Sequence, residues 1–226
     1  QKDIQTTSSH VKDLFDFISD NGPLKEDVAR HIFQQLIQTV RQIHQAGVIH
    51  RDIKDENILI DTQTHQIKLI DFGSATFEHE RKTRIVATRH YRPPEVILEL
   101  GWSHPCDVWS IGCIIFEWYM GICMFQTHNN SEHLAMMERI LGPFPDRMVR
   151  DSKKVKKFFR KRERRSEKLG PSAGDSDLYR VDWDWDSADG RYVRENCKPL
   201  DRYNQMRLDM DHNNLFHLLK VLACHL

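Results

Sequence analysis

His50-Arg51-Asp52-Ile53-Lys54-Asp55-Glu56-Asn57, followed shortly by Asp71-Phe72-Gly73, is the stretch on which the reading of this chain turns. It lies among apolar runs too short for helices. Val48-Ile49 and Ile58-Leu59-Ile60 read as short strands, Asp61 to Gln66 as a polar turn, and Ile67 to Ile70 as another strand. A charged loop between strands thus gathers acids, an amide and a lysine in one place. A single polar loop could also be an ordinary turn between strands, so the rest of the chain has to decide.

Upstream, Asp13 to Ile18 predicts a short amphipathic helix that stops at Asn21-Gly22-Pro23. From Glu26 to Ala46, Val28, Ile32, Phe33, Leu36, Val40 and Ile43 recur at helical spacing, and Gly47 supplies the stop. Downstream, periodicity vanishes between Asp71 and Pro94, which predicts a long loop; such loops in compact domains are usually functional or disordered. Helical patterning returns at Pro105 to Met120 and at Ser131 to Leu141, and Asn213 to His225 reads as a last helix.

Composition excludes several classes. Lysine plus arginine equals aspartate plus glutamate at 33 each, so global charge calls for neither nucleic acid nor membrane. Hydrophobic content of 39% and charged content of 29% fit a soluble globular protein. The five cysteines form no C-x-x-C pair, which removes support for zinc or thioredoxin-like chemistry and suggests a reducing compartment. The start, Gln1 to His10, is polar and has no signal-peptide pattern. Val108 to Phe125 is apolar but carries Ser110, Glu117 and two glycines without basic flanks. A membrane span needs about 20 mainly apolar residues; a helix buried on all sides is the better reading.

The pattern H-R-D-x-x-x-x-N followed by D-F-G resembles the catalytic loop and metal-binding triplet of the protein kinases. Later signals fall in the kinase order. Thr88-Arg89-His90-Tyr91-Arg92-Pro93-Pro94-Glu95 stands where kinases carry Ala-Pro-Glu, and Asp107-Val108-Trp109-Ser110-Ile111-Gly112 opens the apolar helix. The resemblance implies an α+β fold: the large kinase lobe, mainly helical with short strands around the catalytic loop. Residues 1–226 would form a single domain fragment, with 1–12 a remnant of the hinge and 143–199 a family-type insertion on the surface. No glycine-rich loop, V-A-I-K lysine or helix-C glutamate precedes the catalytic loop, so the small lobe is expected to be mostly absent.

The same resemblance implies transfer of the ATP γ-phosphate, with Mg2+, to serine and threonine hydroxyls and also to tyrosine. Asp52 would orient the hydroxyl and Lys54 would meet the transferring phosphate. Asn57 and Asp71 would hold magnesium. ATP would further contact Asp13 at the ribose, Leu59 beneath adenine, and Glu56. Thr88 would bond Asp52 and Lys54. The charge of Arg51 could pair with a phosphate on the loop that carries Thr83, while the preferred reading takes Thr83 as an ordinary loop threonine in a loop that orders without phosphate. His50 and Phe72 would stack in the hydrophobic column, Gly73 would complete the triplet, and Asp107 would brace the catalytic-loop backbone. Glu95 would pair with an arginine on a further helix, so a chain stopping at Leu226 is expected to be weakened there.

Two kinase families are visible. From Asp71 onward the chain resembles the LAMMER, or dual-specificity CDC-like, kinases. The motif stands as Glu132-His133-Leu134-Ala135-Met136-Met137-Glu138-Arg139, and GRYVRENCKPL also matches. From about Val11 to Ile70 it looks like the PIM kinases, with DLFDFI and GVIHRDIKDENILID, and it lacks the long LAMMER insertion before Asp71. The first family acts on arginine-serine-rich splicing factors, and the second prefers basic stretches upstream of the target. Acidic groups at the cleft, with Asp13, Asp16 and Asp55 as candidates, would then read the substrate. The basic run Lys153 to Arg165 and the acidic stretch from Asp175 are most simply solvated faces, so nucleic acid is not an expected partner. The resemblance implies a nuclear or cytoplasmic location and protein substrates. The competing expectation is an inert kinase-like module that binds partners.

Overall fold

The computed structural model describes residues 10–80, 83, 85–161, 178–206 and 210–224. In chain order, strand β1 (Val11–Asp13) leads to helices α1 (Leu14–Asn21) and α2 (Glu26–Gln45). Strands β2 (Val48–Ile49), β3 (Ile58–Asp61), β4 (Ile67–Leu69) and β5 (Thr76–Phe77) follow. Helices α3 (Pro94–Ile97), α4 (Pro105–Met120), α5 (Asn130–Leu141), α6 (Asp146–Asp151) and α7 (Val155–Phe158) come next. The chain ends with β6 (Phe159–Lys161), β7 (Tyr179–Val181), α8 (Ala188–Asn196), α9 (Leu200–Asn204) and α10 (Met210–Cys224). This is the expected mixture of helices and small sheets. It divides into two compact units, one of residues 1–91 and 103–124, the other of 92–102 and 125–226.

The first unit carries the strand-and-loop region. In α2, Ile32, Leu36 and Val40 recur every fourth residue and are the buried ones. Gly47 adopts φ 74°, a left-handed turn that ends the helix and leads into β2. Helix α4 is buried nearly all round, from Cys106 to Trp118, as its uniform apolarity requires. Gly121 closes it at φ 70°, and a Cβ there would meet Pro23 Cγ at 2.9 Å. The antiparallel sheet runs β1-β3-β4, pairing Asp13 with Leu59 and Ile58 with Leu69. The Asp61 turn is closed by its carboxylate, which accepts the Gln63 and Thr64 N–H groups at 2.9 and 3.0 Å. Those bonds hold the Asp61 carboxyl below its ordinary range.

Two expectations need correction. The stretch from Asp71 to Pro94 is not all loop: β5 pairs antiparallel with β2, Ile49 facing Thr76. Two-residue strands leave too little alternation to be seen in sequence. Val11 to Asp13, at the edge of the stretch expected as a hinge remnant, form a strand paired to β3. The segment 143–199 was expected on the surface, yet Val149, Phe158, Phe159, Val181 and Val193 are all buried in the second unit. Its residues 162–177, which include most of the interval between the basic and acidic runs, lie outside the described residues.

The second unit is organised around α5. Glu132 is 3% exposed and accepts from Thr127 Oγ1 at 3.1 Å and from the His128 N–H at 2.6 Å. His133 is fully buried against the Phe125 ring at 5.2 Å. Glu138 accepts the Val181 N–H at 3.1 Å, and Arg139 donates to the Cys197 carbonyl at 3.1 Å. Leu134, Ala135, Met136 and Met137 are buried as well. The LAMMER stretch therefore ties β7 and the end of α8 to α5. No described helix is long and apolar enough to cross a membrane.

Candidate active site

The loop from His50 to Asn57 is shaped by one carboxylate. Asp107, 1% exposed at the start of α4, accepts the N–H of His50 at 2.9 Å and that of Arg51 at 2.8 Å. Aiming consecutive N–H groups at one side chain requires an unusual backbone, and Arg51 sits at φ 70°. A non-glycine residue there costs about 1–2 kcal/mol. Hydrogen bonds to a charged group contribute roughly 1.5–3 kcal/mol each, so the two bonds offset the strain. His44 Nε2 adds a third contact to Asp107, at 2.8 Å. Asp107 thus braces the loop.

His50 is fully buried, with Nε2 3.0 Å from the Ile70 carbonyl and its ring edge-on to Phe72 at 4.8 Å. Asp52 lies at the centre. Its Oδ1 accepts the Thr88 hydroxyl at 2.6 Å and the Thr88 N–H at 3.2 Å. Its Oδ2 stands 3.6 Å from Lys54 Nζ and 3.3 Å from Asn57 Nδ2. Both Asp52 and Lys54 side chains keep about a fifth of their surface open, at 19% and 22%. They are thus reachable but sheltered enough for charge to count.

Asn57 is buried, and its Nδ2 donates to the Asp52 carbonyl at 2.8 Å. That bond leaves the amide oxygen as the atom to offer a cation. The Ile70 N–H donates to the Asn57 carbonyl at 2.9 Å, which sets Asp71 just beyond Asn57 across the sheet end. Asp71 is exposed and left-handed at φ 59°, and its Oδ1 accepts the Gly73 N–H at 3.2 Å. A Cβ on Gly73 would approach that oxygen to 3.0 Å, so the small residue keeps Asp71 in place. No group of three or more histidine, cysteine or acidic side chains suited to a metal occurs among the described residues. An amide oxygen and one carboxylate nevertheless fit magnesium, which completes its shell with water and phosphate oxygens.

Arg51 reaches the other side of the loop. Its Nε donates to the Ser74 carbonyl, and its Nη1 donates to Thr83 Oγ1 at 3.3 Å. Arg51, Asp52, Ser74, Thr83, Ile85, Val86, Ala87 and Thr88 line an open cavity of about 300 Å3. Thr83 and Thr88 therefore border the same space as Asp52. Leu59 is half-buried in the sheet opposite Asp13, and Glu56 is exposed beside Asn57. Asp13 caps α1, its Oδ1 accepting the Asp16 N–H at 2.8 Å.

The structure separates Asp55 from the other acidic candidates. Asp55 is 2% exposed and accepts from Trp118 Nε1 at 3.1 Å, so it cannot read a passing substrate. Burial, helped by the neighbouring Glu117 charge, pushes its carboxyl up to about 8. Tyr91 donates its hydroxyl to Glu117 at 3.0 Å, and burial raises the Glu117 carboxyl as well. Sequence reasoning missed this Asp55–Trp118 and Tyr91–Glu117 layer beneath the loop. The only signal was a glutamate in an otherwise apolar helix. Glu95 belongs to the second unit; it is 8% exposed, and neither carboxylate oxygen has a partner among the described residues.

Comparison with known proteins completes the picture. The protein kinase domain family model matches residues 4–173. The chain belongs to the protein kinase domain family. The kinase is 48% identical to mouse dual specificity protein kinase CLK2, over 91% of this chain and 42% of that protein. It is 47% identical to the Drosophila melanogaster serine/threonine-protein kinase Doa, over 92% of this chain and 26% of that protein. A crystal structure of a kinase domain superposes with a TM-score of 0.71 at 29% identity, covering 93% of this chain and 66% of the other. The kinase thus spans less than half the length of these curated relatives. The CLK2 match leaves fewer residues outside it than the segment 11–70 holds, so it extends into the part resembling PIM kinases.

Proposed function

We propose that this kinase transfers the γ-phosphate of ATP to serine, threonine and tyrosine hydroxyls of protein substrates. The observation that carries the reading is the convergence of Lys54, Asn57 and Thr88 on the Asp52 carboxylate at the mouth of an open cavity. Phosphoryl transfer asks for positioning and charge more than for covalent help. Asp52 is held by Thr88 on one oxygen, so its other oxygen is aimed at a hydroxyl entering beside Lys54. It orients that hydroxyl and takes its proton. Lys54 offers its ammonium to the phosphate oxygens as charge moves toward the acceptor.

Asn57 and Asp71 would hold magnesium on the phosphates, where the ion supplies neutralising charge. Leu59 would lie beneath adenine, and the part of Asp13 not spent on the helix cap would face the ribose. Glu56 contributes an exposed carboxylate near the same edge. Exposed Glu56 and Asp16, rather than buried Asp55, favour substrates with basic residues near the target. Arginine-serine-rich segments are the class that the LAMMER resemblance implies.

The test is phosphate transfer from labelled ATP and Mg2+ to an arginine-serine peptide, comparing the chain with Asp52→Asn. General-base and orienting groups contribute typically about 10²–10⁴-fold, so the variant should lose at least a hundredfold. Equal background signal from both proteins would count against the reading and favour a partner-binding module.

A further inference from the structure

The brace on the catalytic loop does not end at His44. The His44 ring meets the His104 ring edge-on, with centroids 4.6 Å apart. His104 lies immediately before α4, and its backbone carbonyl accepts the Asp107 N–H at 3.1 Å. His104 Nδ1 in turn lies 3.5 Å from Glu78 Oε1, just beyond β5. Glu78 is tied to the same end of α2 that carries His44, its N–H donating at 2.8 Å to the carbonyl of Gly47 just past the helix. One residue therefore touches three places: by its carbonyl the helix that bears Asp107, and by its ring the histidine that bonds Asp107 and the segment that follows Asp71-Phe72-Gly73.

His104 gains little from this location by ordinary accounting. Its Nε2 is buried with no hydrogen-bond partner among the described residues. A buried imidazole nitrogen left unpaired costs free energy that a methyl or phenyl group at the same place would not. Among the described residues the ring meets the His44 edge and, at Nδ1, the Glu78 carboxylate, and neither contact reaches Nε2.

We propose that His104 is a positioning residue for phosphoryl transfer: its ring wedges His44 against Asp107 and thereby fixes the His50–Asp52 backbone. The inference rests on the kinase reading for its catalytic consequence, though not for its structural one. The Asp107 carboxylate fixes two loop amides only while it is itself fixed. Its amide is held by the His104 carbonyl and one oxygen by His44. Removing the wedge frees the His44 ring to leave Asp107, and Asp107 to turn away from Arg51. Asp52 then loses the backbone on which its aim depends.

The experiment uses the full chain with His104→Ala and His104→Phe, read by amide hydrogen exchange at fixed pH and by steady-state kinetics. In His104→Ala, protection at the His50 and Arg51 amides should fall about fivefold while that of Ile60 in β3 holds, the pattern of a local rather than global opening. The same variant should lose about fivefold in kcat with KM for ATP changed less than about twofold, the sign of lost transition-state alignment rather than lost nucleotide binding. His104→Phe, which keeps a ring against His44, should restore both. Unchanged protection in His104→Ala would overturn the proposal. So would an equal loss at Ile60, an equal defect in His104→Phe, or lost protection with kcat intact. If the unsubstituted chain transfers no phosphate, the kinase reading falls on its own, and the exchange comparison still decides whether His104 holds the brace.

Discussion

Replacing Glu95 with glutamine should invert its effect on stability between pH 5 and pH 8. Glu95 is 8% exposed, and burial pushes its carboxyl up to about 7 from an ordinary 4.5, its own backbone N–H pulling weakly the other way. A group whose folded value is raised favours folding most below its unfolded value. That contribution is lost as pH climbs through the folded value. The window is therefore about 4.5 to 7, and the gap across it is worth about 3 kcal/mol. Glutamine carries no such dependence. It brings its own penalty, about 1–3 kcal/mol for a buried amide without partners, but that penalty is the same at both pH values. Glu95→Gln should thus destabilise the chain at pH 5 and be neutral or stabilising at pH 8. The two differences should lie about 3 kcal/mol apart. Urea unfolding at pH 5, 6, 7 and 8 measures this directly. Curves for the two proteins that stay parallel in pH, or that converge toward acid, would refute the reasoning.

Other outcomes follow from the same geometry. Asp55→Asn should change stability by less than about 1 kcal/mol near pH 3.5, where the carboxyl is protonated in the folded and unfolded chain alike and the Trp118 bond survives. It should become increasingly stabilising as pH rises from about 3.8 to 8, because the unfolded carboxyl ionises there while burial keeps the native one protonated; thermal melts at pH 3.5 and 8 compare the two. Thr88→Val removes the hydroxyl bonded to Asp52 and should lower kcat roughly tenfold, while Thr88→Ser retains most activity in the same peptide assay. Glu132→Ala strips the acceptor from the His128 N–H and Thr127 and should cost about 2–4 kcal/mol. The measurement is a lowered urea midpoint, and an unchanged midpoint would show that these bonds contribute little.

Much of the site could be read in the sequence because its chemistry is local. Asp52, Lys54 and Asn57 lie within six positions, so a short loop suffices to gather them. Helix α4 was equally legible, since a run buried on all sides needs only length and apolarity; its bounds, Pro105–Met120, match the pattern. What stayed hidden depends on distant partners. Asp55 looked like an exposed acid because nothing near it in sequence announces Trp118, 63 positions away. His44 and His104 read as unremarkable until the fold sets them edge to edge. Strand β5 was missed because two residues carry no period, and the burial of segment 143–199 because its apolar residues are scattered among charges.

The LAMMER stretch faces inward and spends its polar atoms on neighbouring segments of its own unit. That has a bearing on how such a signature should be used. Its side chains answer to β7, to the end of α8 and to the turn before α5, all of them parts of the protein's own framework. The eight letters are therefore a framework segment, fitted to the surroundings that hold them. Transplanted into another protein they would carry no chemistry with them, and the new host would have to supply the Val181 amide, the Cys197 carbonyl and the Phe125 ring before the segment could settle at all.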